Sequence, residues 1–184
     1  MLSEEKILKN AKKFIDTGIK YEVVNDELMM LLGEVFIKAP CTSSDKYYNA
    51  YDGGLIQHIL NVTKHAISVN KSLPEPKQVE VSSIIRVCLI HQIGKSSMFV
   101  EQKSKWHREN RGEMYTWNED SLSMGTAERS VFYALKSGVA LTEDEVYAIY
   151  NFNSDFAQKP MTKLGERLAA ILKVANQIAV IEQK

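Results

Sequence analysis

The chain has 184 residues, 45% of them hydrophobic and 25% charged, enough for one domain with a substantial buried core. Lys plus Arg and Asp plus Glu each number 23, so no net field draws the protein to nucleic acid or to an anionic membrane surface. No run approaches the ~20 apolar residues of a membrane span, and the start Met1-Leu2-Ser3-Glu4-Glu5-Lys6 lacks a signal peptide's apolar core.

In chain order, Ile7, Leu8, Ala11, Phe14 and Ile15 recur at helical spacing, and Gly18 is expected to end that helix. Asn25 or Asp26 can cap a second helix carrying Leu28, Leu31, Leu32, Val35 and Phe36, which stops before Pro40. Residues 41–53 are polar and read as a loop with a Tyr47-Tyr48 pair. A third helix starts near Gly54, with Leu55, Ile59, Val62, Ala66 and Val69 on one face and His58 and His65 on or beside it. Pro74 and Pro76 break the chain. A fourth helix, about 79–93, is apolar almost all round (Ile84, Ile85, Val87, Cys88, Leu89, Ile90) and is expected at the centre.

Residues 105–117 place Trp106 and Trp117 either side of Asn110-Arg111-Gly112, the pattern of a β-hairpin in which the two tryptophans pair across the strands. His107 belongs to that hairpin and is expected to face solvent. Thr126 opens a helix through about Lys136, and Thr142-Glu143-Asp144-Glu145 is a capping box opening another. Pro160 precedes a last helix whose buried stripe is Leu164, Leu168, Ile171, Leu172, Ala175 and Ile178. The fold class is therefore mainly all-α, a helical bundle with a small β-hairpin insertion. One domain spans 1–184, with its core over about 36–180 and the N-terminal helices, 1–38, packed on it. Cys88 lies in an apolar run and reads as a small buried hydrophobe. Cys41 and Cys88 make no disulfide framework, so a reducing, cytoplasmic setting is expected.

The chemistry-bearing segments are Ala39-Pro40, Tyr47-Tyr48, Gly53-Gly54-Leu55 with His58, and Leu89-Ile90-His91-Gln92-Ile93-Gly94-Lys95. They continue with Trp106 and Trp117, Gly125-Thr126, Ala148-Ile149-Tyr150-Asn151-Phe152, and Ala175-Asn176. In this order and spacing, from about Phe36 to Ala179, they resemble the HD-domain superfamily of metal-dependent phosphohydrolases, and a small bacterial and phage branch of it. The resemblance implies an HD-domain helical bundle and a divalent metal, such as Mn, Fe, Ni or Co, held by two His and two Asp. Here the two Asp positions read Gln92 and Asn176. Three further His positions read Tyr48, Thr126 and Phe152, and another reads Lys173. Only His58 and His91 remain.

Two neutral imidazoles and two amides supply no anion to offset a cation's desolvation or to acidify a bound water. The expectation is therefore a relic pocket of His58, His91, Gln92, Asn176, Lys95, Tyr48 and Thr126, with no catalytic residue and no cofactor. Any metal would rest on His58 and His91. A hydrogen bond between His58 or His91 and the Gln92 or Asn176 amide is expected to satisfy these groups without metal. Lys95 either meets a phosphate, as in an active relative, or simply ends its helix. The reading is a catalytically inactive HD-domain-like protein, a structural or protein-interaction module, with a phage particle or assembly component as one setting. Partners are then other proteins or further copies of the chain, through Trp106, Arg111 and Trp117. The alternatives are a metal-dependent phosphohydrolase acting on a nucleotide or phosphoester with a reduced ligand set, and a non-catalytic nucleotide-binding module.

Overall fold

A computed structural model describes residues 2–154 and 162–183. Among these the fold is helical, with one two-stranded antiparallel sheet. No described helix is long and apolar enough to cross a membrane.

Helix α1 (Glu4–Lys20) begins at Ser3, whose hydroxyl accepts from the Lys6 amide, and buries Ala11 and Phe14. Gly18 does not end it. The chain turns back after Tyr21, and the Val23 and Val24 amides donate to the Gly18 carbonyl at 2.9 and 3.2 Å. A Cβ on residue 18 would lie 2.1 Å from Val24 Cγ2, so glycine is needed here for close packing and not for a stop. Gly18→Ala should therefore destabilise the protein by about 1–3 kcal/mol, outweighing the ~1 kcal/mol gained in helix propensity. Urea denaturation measures it, and a more stable variant would show that Val24 can move aside.

The expected second helix is two. Asn25 caps α2 (Asp26–Leu32), its side-chain oxygen accepting from the Leu28 amide at 2.8 Å. Gly33, at φ 67°, then redirects the chain into the single turn of α3 (Val35–Lys38). That break takes Val35 off the inner face, where it is 61% exposed, and leaves Leu31 half-buried.

Helix α4 (Gly54–Ser72) buries Leu55, His58, Ile59, Val62 and Ala66. It makes the largest helix–helix contact of the fold with α9 (Leu164–Glu182). Of the expected α9 stripe, Leu168, Ile171, Leu172 and Ala175 are buried. Leu164 and Ile178 are 36% and 37% exposed, because one lies in the opening turn and the other on the outer side. Pro160 lies outside the described residues. Helix α5 (Val81–Ile90) is central, with Ile84, Ile85, Val87, Cys88, Leu89 and Ile90 buried, but it ends three residues before the expected limit. His91 caps it, and a 3₁₀ turn, Ile93–Lys95, follows. His91 and Gln92 thus sit where the helix gives way to a tighter turn. The hydrophobic core runs unbroken from Ala11 and Phe14 of α1 to Ala175 and Ala179 of α9.

The tryptophan segment differs most from expectation. Strand β1 (Phe99–Glu101) pairs with β2 (Tyr115–Trp117) in the register Phe99↔Trp117, Val100↔Thr116, Glu101↔Tyr115. Between them lies a helix, α6 (Lys105–Arg111), capped by Ser104 and closed by Gly112 at φ 66°. A glycine in the left-handed region closes a helix as readily as it turns a hairpin. Trp106 is therefore on a helix and 56% exposed, with the Arg111 guanidinium 5.1 Å from its ring centre. Trp117 meets Phe99 edge-on at 6.2 Å, so the two tryptophans do not pair with each other. His107 is half-buried, 3.6 Å from Glu113.

Helix α7 (Thr126–Lys136) packs on the 3₁₀ turn, and α8 (Glu143–Asn151) opens with the Thr142–Glu145 capping box in both directions.

Candidate functional site

A cavity of about 450 Å³ lies where five parts of the fold meet. Its wall takes Tyr48 from the 41–53 loop, Gln92 and Lys95 from the turn after α5, Thr126 from the start of α7, Phe152 after α8, and Asn176 from α9. His58 and His91 are buried beneath, their ring centres 6.4 Å apart.

Local backbone rules bring these groups together. In the loop, the Thr42 hydroxyl donates to the Tyr48 carbonyl at 2.8 Å, and the Cys41 amide to the Asn49 carbonyl at 3.0 Å. The Leu55 amide donates to Ala39 at 3.0 Å. This closes the loop against α4 and lays the Tyr48 ring 4.8 Å from the His58 ring. In the turn after α5, the Gly94 amide donates to the Ser130 hydroxyl at 2.8 Å. A Cβ on Gly94 would come within 2.4 Å of the Thr126 carbonyl. Only glycine lets α7 approach this closely and bring Thr126 beside Gln92 and Lys95.

Asn176 is the hub. Its Oδ1 lies 2.9 Å from His58 Nε2 and accepts from Gln92 Nε2 at 3.3 Å. His58 Nδ1 lies 3.3 Å from Gln183 Oε1. A neutral imidazole has one N–H, and the shorter contact directs it to Asn176. Burial pulls the His58 pKa down to about 4, with Lys95 adding to the fall and the Asn176 and Gln183 bonds opposing it. The Gln92 carbonyl receives the Cys41 thiol at 3.5 Å. Lys95 donates to the Cys41 carbonyl at 3.1 Å, and its Nζ lies 5.9 Å from the Tyr48 ring centre. Burial raises the Cys41 thiol and the Tyr48 phenol, so both stay protonated at neutral pH.

His91 is held differently from His58. It bonds neither amide. Its Nδ1 donates to the Cys88 carbonyl at 2.7 Å, one helical turn back, which fixes the tautomer and leaves a lone pair on Nε2. Nε2 is buried with no hydrogen-bond partner among the described residues. The Phe152 ring stands edge-on 5.5 Å from the imidazole, and burial, then His58, then Lys95 lower its pKa to about 3, against the Cys88 bond. An imidazole whose other nitrogen holds a backbone carbonyl is oriented as metal-bound histidines are.

The remaining donors do not suit the divalent metal that the resemblance implies. Asn176 Oδ1 is committed to two N–H groups, Gln92 turns its donor side to Asn176, and neither is anionic. Among the described residues, no three His, Cys, Asp or Glu side chains lie together as a metal site. The carboxylate that lines the cavity, Glu128, curls back so that its Oε2 would lie 1.9 Å from a Cβ on Gly125.

Lys173 donates to the Ser154 carbonyl at 2.7 Å and is not in the cavity wall. His65 also lies outside it, 2.6 Å from Glu182. Two residues that bond to this network from behind the wall, Cys41 to Gln92 and Gln183 to His58, carried no signal in the sequence. Cys41 lay in a loop without a metal-site spacing, and Gln183 reaches back to His58 from 125 residues away. Away from the cavity, Trp106 and Arg111 stack on α6, while Trp117 belongs to the sheet. No protein-family model matches this chain, and no curated protein or solved structure does either.

Proposed function

We propose that this chain is a catalytically inactive HD-domain-like protein that works as a protein-interaction module, its hydrolytic pocket turned into a hydrogen-bond network that stabilises the fold. The observation that carries the reading is Asn176 Oδ1, which sits between His58 Nε2 and Gln92 Nε2 where the resemblance calls for a carboxylate on a metal. A group already engaged by two protein N–H donors does not polarise a phosphoester or activate water. The resemblance adds a setting: a component of a phage particle or of its assembly. The contact surface is the exposed face of α6, where the Trp106 indole is held by the Arg111 guanidinium. Aromatic and Arg anchors of this kind dominate the energetics of protein interfaces.

Purified protein supplied with Mn²⁺, Ni²⁺ or Co²⁺ should turn over phosphomonoesters, nucleotides and phosphodiesters no faster than background. Acid digestion and mass spectrometry should find far less than one transition metal per chain. A stoichiometric metal, or turnover abolished by His91→Ala, would overturn the reading. Trp106→Ala with Arg111→Ala should weaken self-association or partner capture and leave the melting temperature nearly unchanged, because both side chains are exposed.

One observation favours a second reading, a nucleotide bound without turnover: the cavity is open, about 450 Å³, and carries the Lys95 ammonium in its wall. A nucleotide that raises the melting temperature of the protein but not of Lys95→Ala, without being consumed, would move that reading ahead.

A further inference from the structure

A second groove, of about 540 Å³, runs between α1 and α4, on a different part of the surface from the cavity. Five lysines line it: Lys6, Lys9, Lys12 and Lys13 from α1, and Lys64 from α4. The one carboxylate in the lining, Asp16, is engaged by Lys12 at 3.1 Å, and Lys64 leans to Glu182 at 3.5 Å. Lys6, Lys9 and Lys13 have no ion pair among the described residues, and all three are exposed. The chain as a whole has no net charge, so this groove concentrates positive charge that the composition conceals. Its walls are fixed. Asn10, buried, donates to Gln57 Oε1 at 2.9 Å, and Gln57 donates to Asn61 Oδ1 at 2.8 Å, a chain of amides that ties α1 to α4 along the groove floor.

We infer that this groove binds double-stranded nucleic acid through its phosphate backbone. Lys6, Lys9 and Lys13 fall at i, i+3 and i+7 on one side of α1 and span about 10 Å of helix axis. Over that length a duplex presents about six negative charges. The chemistry of the lining selects among polyanions. It holds no aromatic side chain on which an unpaired base could stack, as single-strand binders use. It offers lysine point charges without arginine or aromatic anchors, whereas protein interfaces are depleted in lysine and rich in those anchors. Its one large apolar side chain is Leu60, too little for a helix that must bury an apolar face in a bilayer. Ammonium groups over a hydrogen-bonding amide floor suit phosphates, and they position a duplex without reading its sequence. This inference goes beyond the non-catalytic pocket and does not depend on it.

The test is fluorescence anisotropy of the full chain with labelled duplexes of random sequence, one of DNA and one of RNA, which separates the two sources of the same phosphate chemistry. Three phosphate contacts predict a salt slope near −3, so affinity for at least one duplex should fall about 40-fold between about 50 and 200 mM salt. Lys9→Glu with Lys13→Glu should weaken binding about tenfold or more and flatten the slope, and the neutral pair Lys9→Gln with Lys13→Gln should do so more mildly. Lys71→Glu with Lys77→Glu, exposed lysines outside the groove, should change neither. All three double variants should melt with the wild type, which excludes unfolding as the cause. The inference is overturned if neither duplex binds at low salt, if the groove variants bind as well as wild type, or if anionic vesicles or an acidic peptide bind more tightly than both duplexes.

Discussion

Replacing Glu145 by Ala should lower the free energy of unfolding by about 3–5 kcal/mol, the largest single effect expected outside the aliphatic core. The Glu145 side chain is 3% exposed and faces Arg86 of α5, which is 17% exposed. Arg86 Nε donates to Oε1 at 2.6 Å and Nη2 donates to Oε2 at 3.2 Å, a bidentate pair in a largely dry setting. The guanidinium also donates to the Tyr21 carbonyl at 2.8 Å and to the Ala140 carbonyl. Glu145 Oε2 accepts from the Thr142 amide at 2.9 Å as part of the capping box. One ion pair thus clamps the α1–α2 link, the centre of α5 and the entry to α8. Alanine at 145 strips the cap and leaves a partly buried guanidinium without its counter-charge.

Arg86→Ala should cost a similar amount, because it leaves a buried carboxylate unpaired. The double change Arg86→Met with Glu145→Met should cost far less than the two single losses combined, since a buried pair removed whole leaves no uncompensated charge. Urea denaturation of the four proteins closes the cycle. A Glu145→Ala variant within about 1 kcal/mol of wild type would mean that water reaches the guanidinium and that the clamp is worth no more than a surface pair. The clamp also bears on the cavity, because α8 carries Phe152 at its end, against the His91 ring.

The same residues show what was legible in the sequence. Thr142-Glu143-Asp144-Glu145 announces a helix start because both halves of a capping box lie within one turn. Nothing in that spacing points to Arg86, 59 residues earlier, so the box reads as local when it is also the centre of a tertiary clamp. The tryptophan segment fails for the opposite reason. Gly112 has the same local meaning at a helix end and at a hairpin tip, and the strand partner that decides between them, Phe99, lies before the segment with the hairpin pattern. Gly18 reads as a terminator in sequence because a helix-interior glycine that admits Val24 has the same local signature as one that ends a helix.

At the cavity, the order of motifs along the chain names Tyr48, Gln92, Lys95, Thr126, Phe152 and Asn176, and the fold lines one wall with them. Their bonding was not legible. The two histidines look equivalent in sequence, yet Asn176 serves His58, while the end of α5 offers His91 a carbonyl one turn back. The basic groove was hidden too, because a net charge of zero averages over surfaces that only the pairing of α1 with α4 separates.

Acidification should destabilise the protein well before its carboxylates titrate. His58 and His91 are fully buried and neutral, with pKa values pulled from the ordinary 6.5 to about 4 and about 3, chiefly by burial. In the unfolded chain both titrate near 6.5. Below that pH the unfolded state takes up two protons that the native state refuses, so stability falls as pH falls. Each histidine contributes a slope of roughly a kcal/mol per pH unit. The slope from His58 ends near pH 4 and that from His91 near pH 3, where the folded forms also protonate. Between about pH 6.5 and 5 the ordinary carboxylates remain ionised, so this window isolates the imidazoles. Unfolding free energies from urea titrations at pH 7, 6 and 5 should decline by a few kcal/mol in total, on the order of the two slopes combined. His91→Gln should start lower, because its site is tightly packed against Phe152, and should lose about half of the decline. His58→Gln with His91→Gln should remove most of it. A stability that stays level from pH 7 to pH 5, or a decline of equal size in the double variant, would mean that the imidazoles are reached by water or already charged. His58 beneath Asn176, and His91 beside it, would then not be the dry, neutral imidazoles that their burial implies.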